Sequence, residues 1–139
     1  MKYLLDTNVV SELVARQPNP RVVEWLDLQD PDEIYLSVIT VGEIRKGIAK
    51  LPPSKRKQMI QAWLESDLLL RFHGRIVEIG VQTMLKWGEL AGRLEKSGKQ
   101  MSAIDSLIAA LALEGDFTLV TRNEQDFENA DIAVVNPWK

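Results

Sequence analysis

A chain of 139 residues with 45% apolar and 27% charged side chains has the material for one buried core and too little for two, so a single domain spanning residues 1–139 is expected. Lys and Arg number 17 against 20 Asp and Glu, and the resulting charge of −3 excludes a uniformly cationic nucleic-acid binder while leaving room for a local basic patch. Cysteine is absent and His73 is the only histidine, which rules out disulfides, thiolate zinc sites, cysteine nucleophiles and paired-histidine chemistry.

The chain alternates short apolar runs with longer amphipathic stretches. Tyr3–Leu5 reads as a first strand, stopped by Asp6. Asn19 followed by Pro20 reads as a helix cap and first helical position, and that helix carries Val22, Val23, Trp25 and Leu26. A second strand is predicted over Ile34–Ser37. A helix from about Val38 to Ala49 follows, striped by Val41, Ile44, Ile48 and Leu51 and ended by Pro52 and Pro53. Ser54 caps a basic amphipathic helix running to about Leu70, with Met59, Ile60, Trp63 and Leu64 expected toward the core. Ile76–Ile79 is a weak third strand. Val81 to about Lys96 is a long helix with Met84, Trp87, Ala91 and Leu94 on one face, closed at Gly98 by a left-handed cap. A helix over Ala103–Leu113 and strands over Phe117–Thr121 and Ile132–Val135 complete the chain. Such alternation predicts a three-layer α/β/α sandwich around a mainly parallel five-stranded sheet.

Ligands of such folds sit beyond the carboxyl ends of the strands, where the strand order reverses. Asp6 lies directly after the first strand, and Asp, Thr and Asn at positions 6–8 also suit a helix cap. Asp105 and Ser106 are the only polar side chains between Ala103 and Leu113. An acid in so apolar a helix is tolerated in the first turn behind a Ser102 cap, but the cap leaves the surrounding apolar surface unexplained. Glu43 falls at the edge of its helix's apolar stripe, where pairing with Arg45 or Lys46 is the simplest reading. Past the fourth strand come Thr121, Arg122, Asn123 and, at the next turn, Asp126 and Phe127. Asp116 precedes that strand and belongs to the other end of the sheet. Three separated acids meeting at one sheet edge repel one another unless a cation intervenes. Oxygen-only ligands select a hard ion such as magnesium or manganese, which activates water and stabilises the transition state of phosphodiester cleavage.

The segments Leu4–Glu12, Ser37–Ile48, Ser102–Ala110 and Leu119–Phe127 together resemble a PIN domain, and more narrowly the VapC/FitB-like toxins of type II toxin–antitoxin systems, which include plasmid stability proteins. The resemblance implies a magnesium-dependent endoribonuclease held in check by a cognate antitoxin, a small DNA-binding protein, and a homodimer. It implies that Asp6, Glu43 and Asp105 hold the metal, with Asp6 and Asp105 as its main ligands and Mn2+ as a possible substitute for Mg2+. Thr7, Asn8 and Thr121 match the family's supporting positions. Asn123 stands where the family carries a fourth acid, with Asp126 nearby, so a second metal has one fewer charge to hold it.

Between Ile44 and Leu64 there is no acid, while Arg45, Lys46, Lys50, Lys55, Arg56 and Lys57 are all cationic. Arg45, Lys46 and Lys50 follow Glu43 and are candidates for contact with either RNA or an antitoxin tail. Asn8 stands where a haloacid-dehalogenase-type phosphatase needs its second Asp. Val77-Glu78-Ile79 offers no acceptor for a receiver domain, and no phosphate-cradling glycine loop is present. A PIN-fold protein without activity, working through antitoxin and operator complexes, is the alternative. The longest apolar run, Leu107–Leu113, is far short of a membrane span, and Asp6 interrupts the first apolar run before a signal core forms. A cytoplasmic protein is therefore expected.

Overall fold

The computed structural model describes all residues, 1–139. Five strands, β1 (Tyr3–Leu5), β2 (Ile34–Ser37), β3 (Ile76–Val77), β4 (Thr118–Val120) and β5 (Val134–Val135), form one sheet in the order β3-β2-β1-β4-β5. Every pairing is parallel. The helices are α1 (Thr7–Glu12), α2 (Pro20–Asp27), α3 (Val38–Ala49), α4 (Lys55–Ala62), α5 (Leu69–Arg71), α6 (Val81–Lys96) and α7 (Ala103–Gly115).

Side-chain alternation divides the interior into two cores, one on each face of the sheet. Leu5, Ile34, Leu36 and Val120 face a core completed by Val9, Val10, Val22, Ile44, Ile48, Leu64 and Leu68, from α1 to α4 and the turns after it. Leu4 and Leu119 face the opposite way, into Leu90, Leu94, Ile108, Leu111 and Phe127. The sandwich is the predicted three-layer one, with a wholly parallel sheet.

Helix starts follow the predicted caps. Asn19, Ser37, Ser54 and Ser102 each accept a backbone N–H from the first turn of α2, α3, α4 and α7, respectively. At the end of α6, Gly98 adopts φ 68°, and the Lys99 and Gly98 amides return to the carbonyls of Leu94 and Glu95 at 2.9 and 3.1 Å. Helix α7 closes the same way with Asp116 in the left-handed region (φ 55°) and the Phe117 amide on the Ala112 carbonyl. Its glycine comes one residue earlier because the Phe117 ring folds onto Gly115, where a Cβ would lie 2.2 Å from a ring carbon.

Two expectations about faces are corrected. The helix predicted from Ser54 to Leu70 is interrupted, because Trp63–Leu68 forms a π-helix between α4 and α5. Ile60, Leu64, Leu68 and Phe72 recur every four residues and all pack on the first core. In an α-helix that spacing drifts about 40° per step, since 3.6 residues make a turn. The wider π turn drifts the other way, and the alternation keeps all four on one face. Met59 is left outside this stripe and is 59% exposed, not buried. On α6 the buried positions are Thr83, Leu90 and Leu94, while Met84 points outward. The Thr83 hydroxyl accepts from the Gly80 amide and bonds Glu114 of α7, so a capping residue takes the place expected for Met84.

Substituting Gly115 by Ala forces the Phe117 ring to move and is expected to cost about 1–3 kcal/mol by overpacking. Chemical denaturation checks this, and unchanged stability would contradict the close approach.

Candidate active site

The chain winds outward from β1 through β2 to β3, then returns to the other side of β1 for β4 and β5. The order therefore reverses between β1 and β4, the point at which folds of this kind have their ligand crevice, beyond the strands' carboxyl ends. Asp6 follows β1 and Thr121 follows β4, with the Asp6 amide still in the ladder on the Val120 carbonyl at 2.9 Å.

Asp6 is 6% exposed, and both of its carboxylate oxygens are held. Oδ1 accepts from the Thr7 amide and Oδ2 from the Thr121 hydroxyl, each at 2.8 Å. Thr121 Oγ1 also accepts from Asn8 Nδ2 at 3.2 Å and from the Asn123 amide at 3.1 Å, so one donor and two acceptor positions are all in use. Asn8 Oδ1 takes the Arg122 amide at 3.3 Å, tying the first turn of α1 to the loop after β4. The Arg122 guanidinium lies over the Trp138 ring.

Glu43, in the second turn of α3, accepts from the Thr7 hydroxyl at 2.5 Å rather than pairing with Arg45 or Lys46. Thr40 Oγ1 lies 3.2 Å from the same hydroxyl. Sequence reasoning missed Thr40, although it precedes Glu43 by three residues and so shares its helix face. Asp105 sits in the first turn of α7, its amide capped by Ser102 Oγ at 3.1 Å. Asp126 lies on the 3-10 turn Glu124–Phe127, anchored by buried Phe127. Asn123 stays exposed on the rim, and Arg45 and Lys46 on α3 and Lys50 at its C-cap are exposed.

Burial raises the pKa of Asp6 above the ordinary carboxylate value, against the hydrogen bonds from Thr121 and Thr7, and the charges of Asp105 and Glu43 push it further. Asp105 is raised by burial and by Asp126 and Glu43, against its Ser102 hydrogen bond. Asp6 is thus repelled by Asp105 and Glu43, and Asp105 by Asp126 and Glu43. None of them has a cationic partner, because the three ion pairs of the chain are Met1–Glu33, Lys86–Glu89 and Lys139–Glu124. Glu124 shows the contrast. Lys139, at 2.7 Å, and Asn136 hold it below the usual range, which removes it from the repelling group.

No three acidic side chains close into a ready-made metal cage. The donor chemistry nevertheless suits a hard divalent ion: carboxylate oxygens of like charge that lack an internal counter-ion.

The PIN domain family model matches residues 3–133. The chain belongs to the PIN domain family. Among PIN-family relatives, it is 42% identical to the toxin FitB of Neisseria gonorrhoeae, over 97% of both chains. It is 40% identical to the plasmid stability protein StbB of Pseudomonas syringae pv. tomato, over 98% of both. The VapC ribonuclease Y4jK of Sinorhizobium fredii is 37% identical, over 98% of this chain and 97% of that one. The PIN fold described above superposes with a TM-score of 0.93 on the crystal structure of FitAcB from Neisseria gonorrhoeae, at 41% identity and 98% coverage of both chains. A structure of FitAB bound to an IR36 DNA fragment matches with the same TM-score at 40% identity, covering 99% of this chain and 96% of that one.

Because Asp6 and Asp105 hold protons more tightly when folded, their contribution to stability is full below the unfolded carboxylate value of about 3.9 and is lost as the pH rises through their raised values. Asp105→Asn is therefore expected to raise Tm at pH 7 by a few degrees and to shrink the further rise that Mg2+ gives the unaltered protein. Scanning calorimetry with and without Mg2+ checks both, and a lower Tm for the variant would contradict the repulsion. Thr121→Val deprives Asp6, Asn8 and the Asn123 amide of their shared partner and is expected to cost about 2–4 kcal/mol in urea unfolding. A loss below about 0.5 kcal/mol would show that the hydroxyl holds nothing together.

Proposed function

We propose that this PIN domain is a metal-dependent endoribonuclease and the toxin of a toxin–antitoxin pair. The observation that carries the chemistry is the joining of Asp6 and Glu43 through Thr7, with Asp105 near enough to oppose the ionisation of Asp6 and no cation paired with any of the three. Relatives named VapC ribonuclease and toxin FitB support RNA as substrate and toxicity as role. Complexes such as FitAB, and VapBC2 of Rickettsia felis bound to a promoter DNA fragment, support a DNA-binding antitoxin as partner. A homodimer is inferred on the same resemblance.

Asp6 and Asp105 are the residues to hold Mg2+ or Mn2+, with Glu43 beside them. When bound, the ion supplies Lewis acidity toward the scissile phosphate and lowers the pKa of water. The chain's own groups do the positioning. The Thr7 amide and Thr121 fix both Asp6 oxygens. The Thr7 hydroxyl holds Glu43 Oε1, leaving Oε2 to orient an attacking water and accept its proton. Asn123 and Asp126 support the substrate from the rim. Attack by water rather than by the ribose 2′-hydroxyl leaves a 5′-phosphate and a 3′-hydroxyl. No helix is long and apolar enough to cross a membrane, and we place the activity in the cytoplasm with its substrate.

Purified protein incubated with labelled RNA is expected to cleave in Mg2+ and to stop in EDTA. Asp6→Asn and Asp105→Asn are each expected to lower the rate by at least about 100-fold, ~2.7 kcal/mol in barrier, while circular dichroism shows the fold intact. Undiminished cleavage by either variant would refute the assignment and favour a PIN fold acting only through complex formation.

A further inference from the structure

The basic stretch that follows Glu43 is divided by the fold. Arg56 Nη2 donates to the Val14 carbonyl and Lys57 Nζ to the Leu51 carbonyl, so both side chains are engaged in holding α4 to its neighbours. Arg56 lines a separate groove with Met59 and Trp63. Lys46 and Lys50 are different. They stand one helical turn apart, Lys46 on the last turn of α3 and Lys50 at its C-cap, make no ion pair or side-chain hydrogen bond, and line an open groove of about 640 Å³. Arg45 does not face that groove.

The groove's position gives it meaning. Glu43 belongs to its wall and, through Thr7, is joined to Asp6, so the groove ends beside the carboxylates. Its other walls are apolar: Ile39 from α3, and Ile104 and Leu107 from the two turns of α7 that flank Asp105. A surface that is cationic along one edge, apolar across the floor and open to a cluster of acids at its end is suited to a chain with a charged backbone and flat apolar bases. Phosphates gain from the unpaired ammonium groups, and an unpaired base covers the Ile104–Leu107 floor. A duplex presents its bases only at their edges and cannot cover that floor.

We infer that the groove between α3 and α7 is the path of single-stranded RNA into the active site, with Lys46 and Lys50 contacting successive phosphates and a base lying on Ile39, Ile104 and Leu107. The inference rests on the ribonuclease reading and names how that site takes its substrate.

The test pairs binding with cleavage. Binding of a short fluorescent single-stranded RNA is measured by anisotropy at several salt concentrations, in Mg2+ and in the Asp6→Asn background. The Lys46→Ala/Lys50→Ala double variant is expected to reduce the slope of log affinity against log salt by about 1.4, the value for two lost phosphate contacts on a single strand. With Asp6 intact, the same double variant is expected to raise KM about 10-fold and leave kcat within about 2-fold, a pattern of lost ground-state binding. Lys96→Ala, on the exposed end of α6, controls for charge alone. Ile104→Glu, at an exposed position, is expected to weaken RNA binding without altering the sedimentation coefficient. An unchanged slope and KM in the double variant would overturn the inference. So would equal binding of duplex RNA, or an Ile104→Glu protein that changes its sedimentation while binding RNA as before, which would mark the groove as a contact between two copies. Failure of the unaltered protein to cleave RNA refutes the activity instead, and the anisotropy slopes decide the groove independently.

Discussion

Like charge brought together without an internal counter-ion is the constraint on which the rest of the structure turns. Asp6, Glu43 and Asp105 come from positions nearly one hundred residues apart in the chain, and folding brings them to one crevice where burial and neighbouring acids oppose the ionisation of Asp6 and Asp105. A protein that only needed to be stable would have an apolar residue or a lysine there. The repulsion is tolerated because each acid is tied individually. Thr121 and the Thr7 amide hold Asp6, the Thr7 hydroxyl holds Glu43, and Ser102 caps the turn carrying Asp105. Thr121 is central to this set, since its single hydroxyl also receives Asn8 and the Asn123 amide and so locks β1 to β4 at the point where the crevice opens.

The sheet supplies the rigid frame behind those ties. Its order places β1 and β4 side by side with their connections leaving in opposite directions, and a core on each face buries Leu4, Leu5, Leu119 and Val120. Asp6 and Thr121 therefore follow directly on buried strand residues, while the loop after β4 is tethered by the C-terminal segment. Asn136 bonds Glu124, Lys139 pairs with Glu124, and Trp138 lies under Arg122. Members of the PIN domain family with toxin or ribonuclease names match this frame over nearly their full length.

Much of this was legible in the residues because local signals and the global pattern agree. Asn19-Pro20, Ser37, Ser54 and Ser102 mark helix starts by their own chemistry, and the limits of α3 and α6 follow from them and from Pro52 and Gly98. Asp6 and Asp105 stood out because an acid in apolar surroundings demands a reason. What was hidden depends on tertiary contact. The π turn at Trp63–Leu68 answers a four-residue spacing that periodicity alone assigns to an ordinary helix, and Met59 is exposed as a consequence. Thr83 replaces Met84 in the contact between α6 and α7 only because Glu114 waits on the facing helix. Glu43 looked like a rim residue paired to its own helix, and its actual partner, Thr7, lies thirty-six residues away.

The central proposal is that the acids at the β1/β4 crevice share one divalent ion. Anomalous scattering from crystals soaked in Mn2+ tests it directly. The account predicts a strong anomalous peak among the carboxylates of Asp6, Glu43 and Asp105, absent from Asp105→Asn crystals treated alike. A crevice without a peak, or manganese bound only elsewhere on the surface, would contradict it.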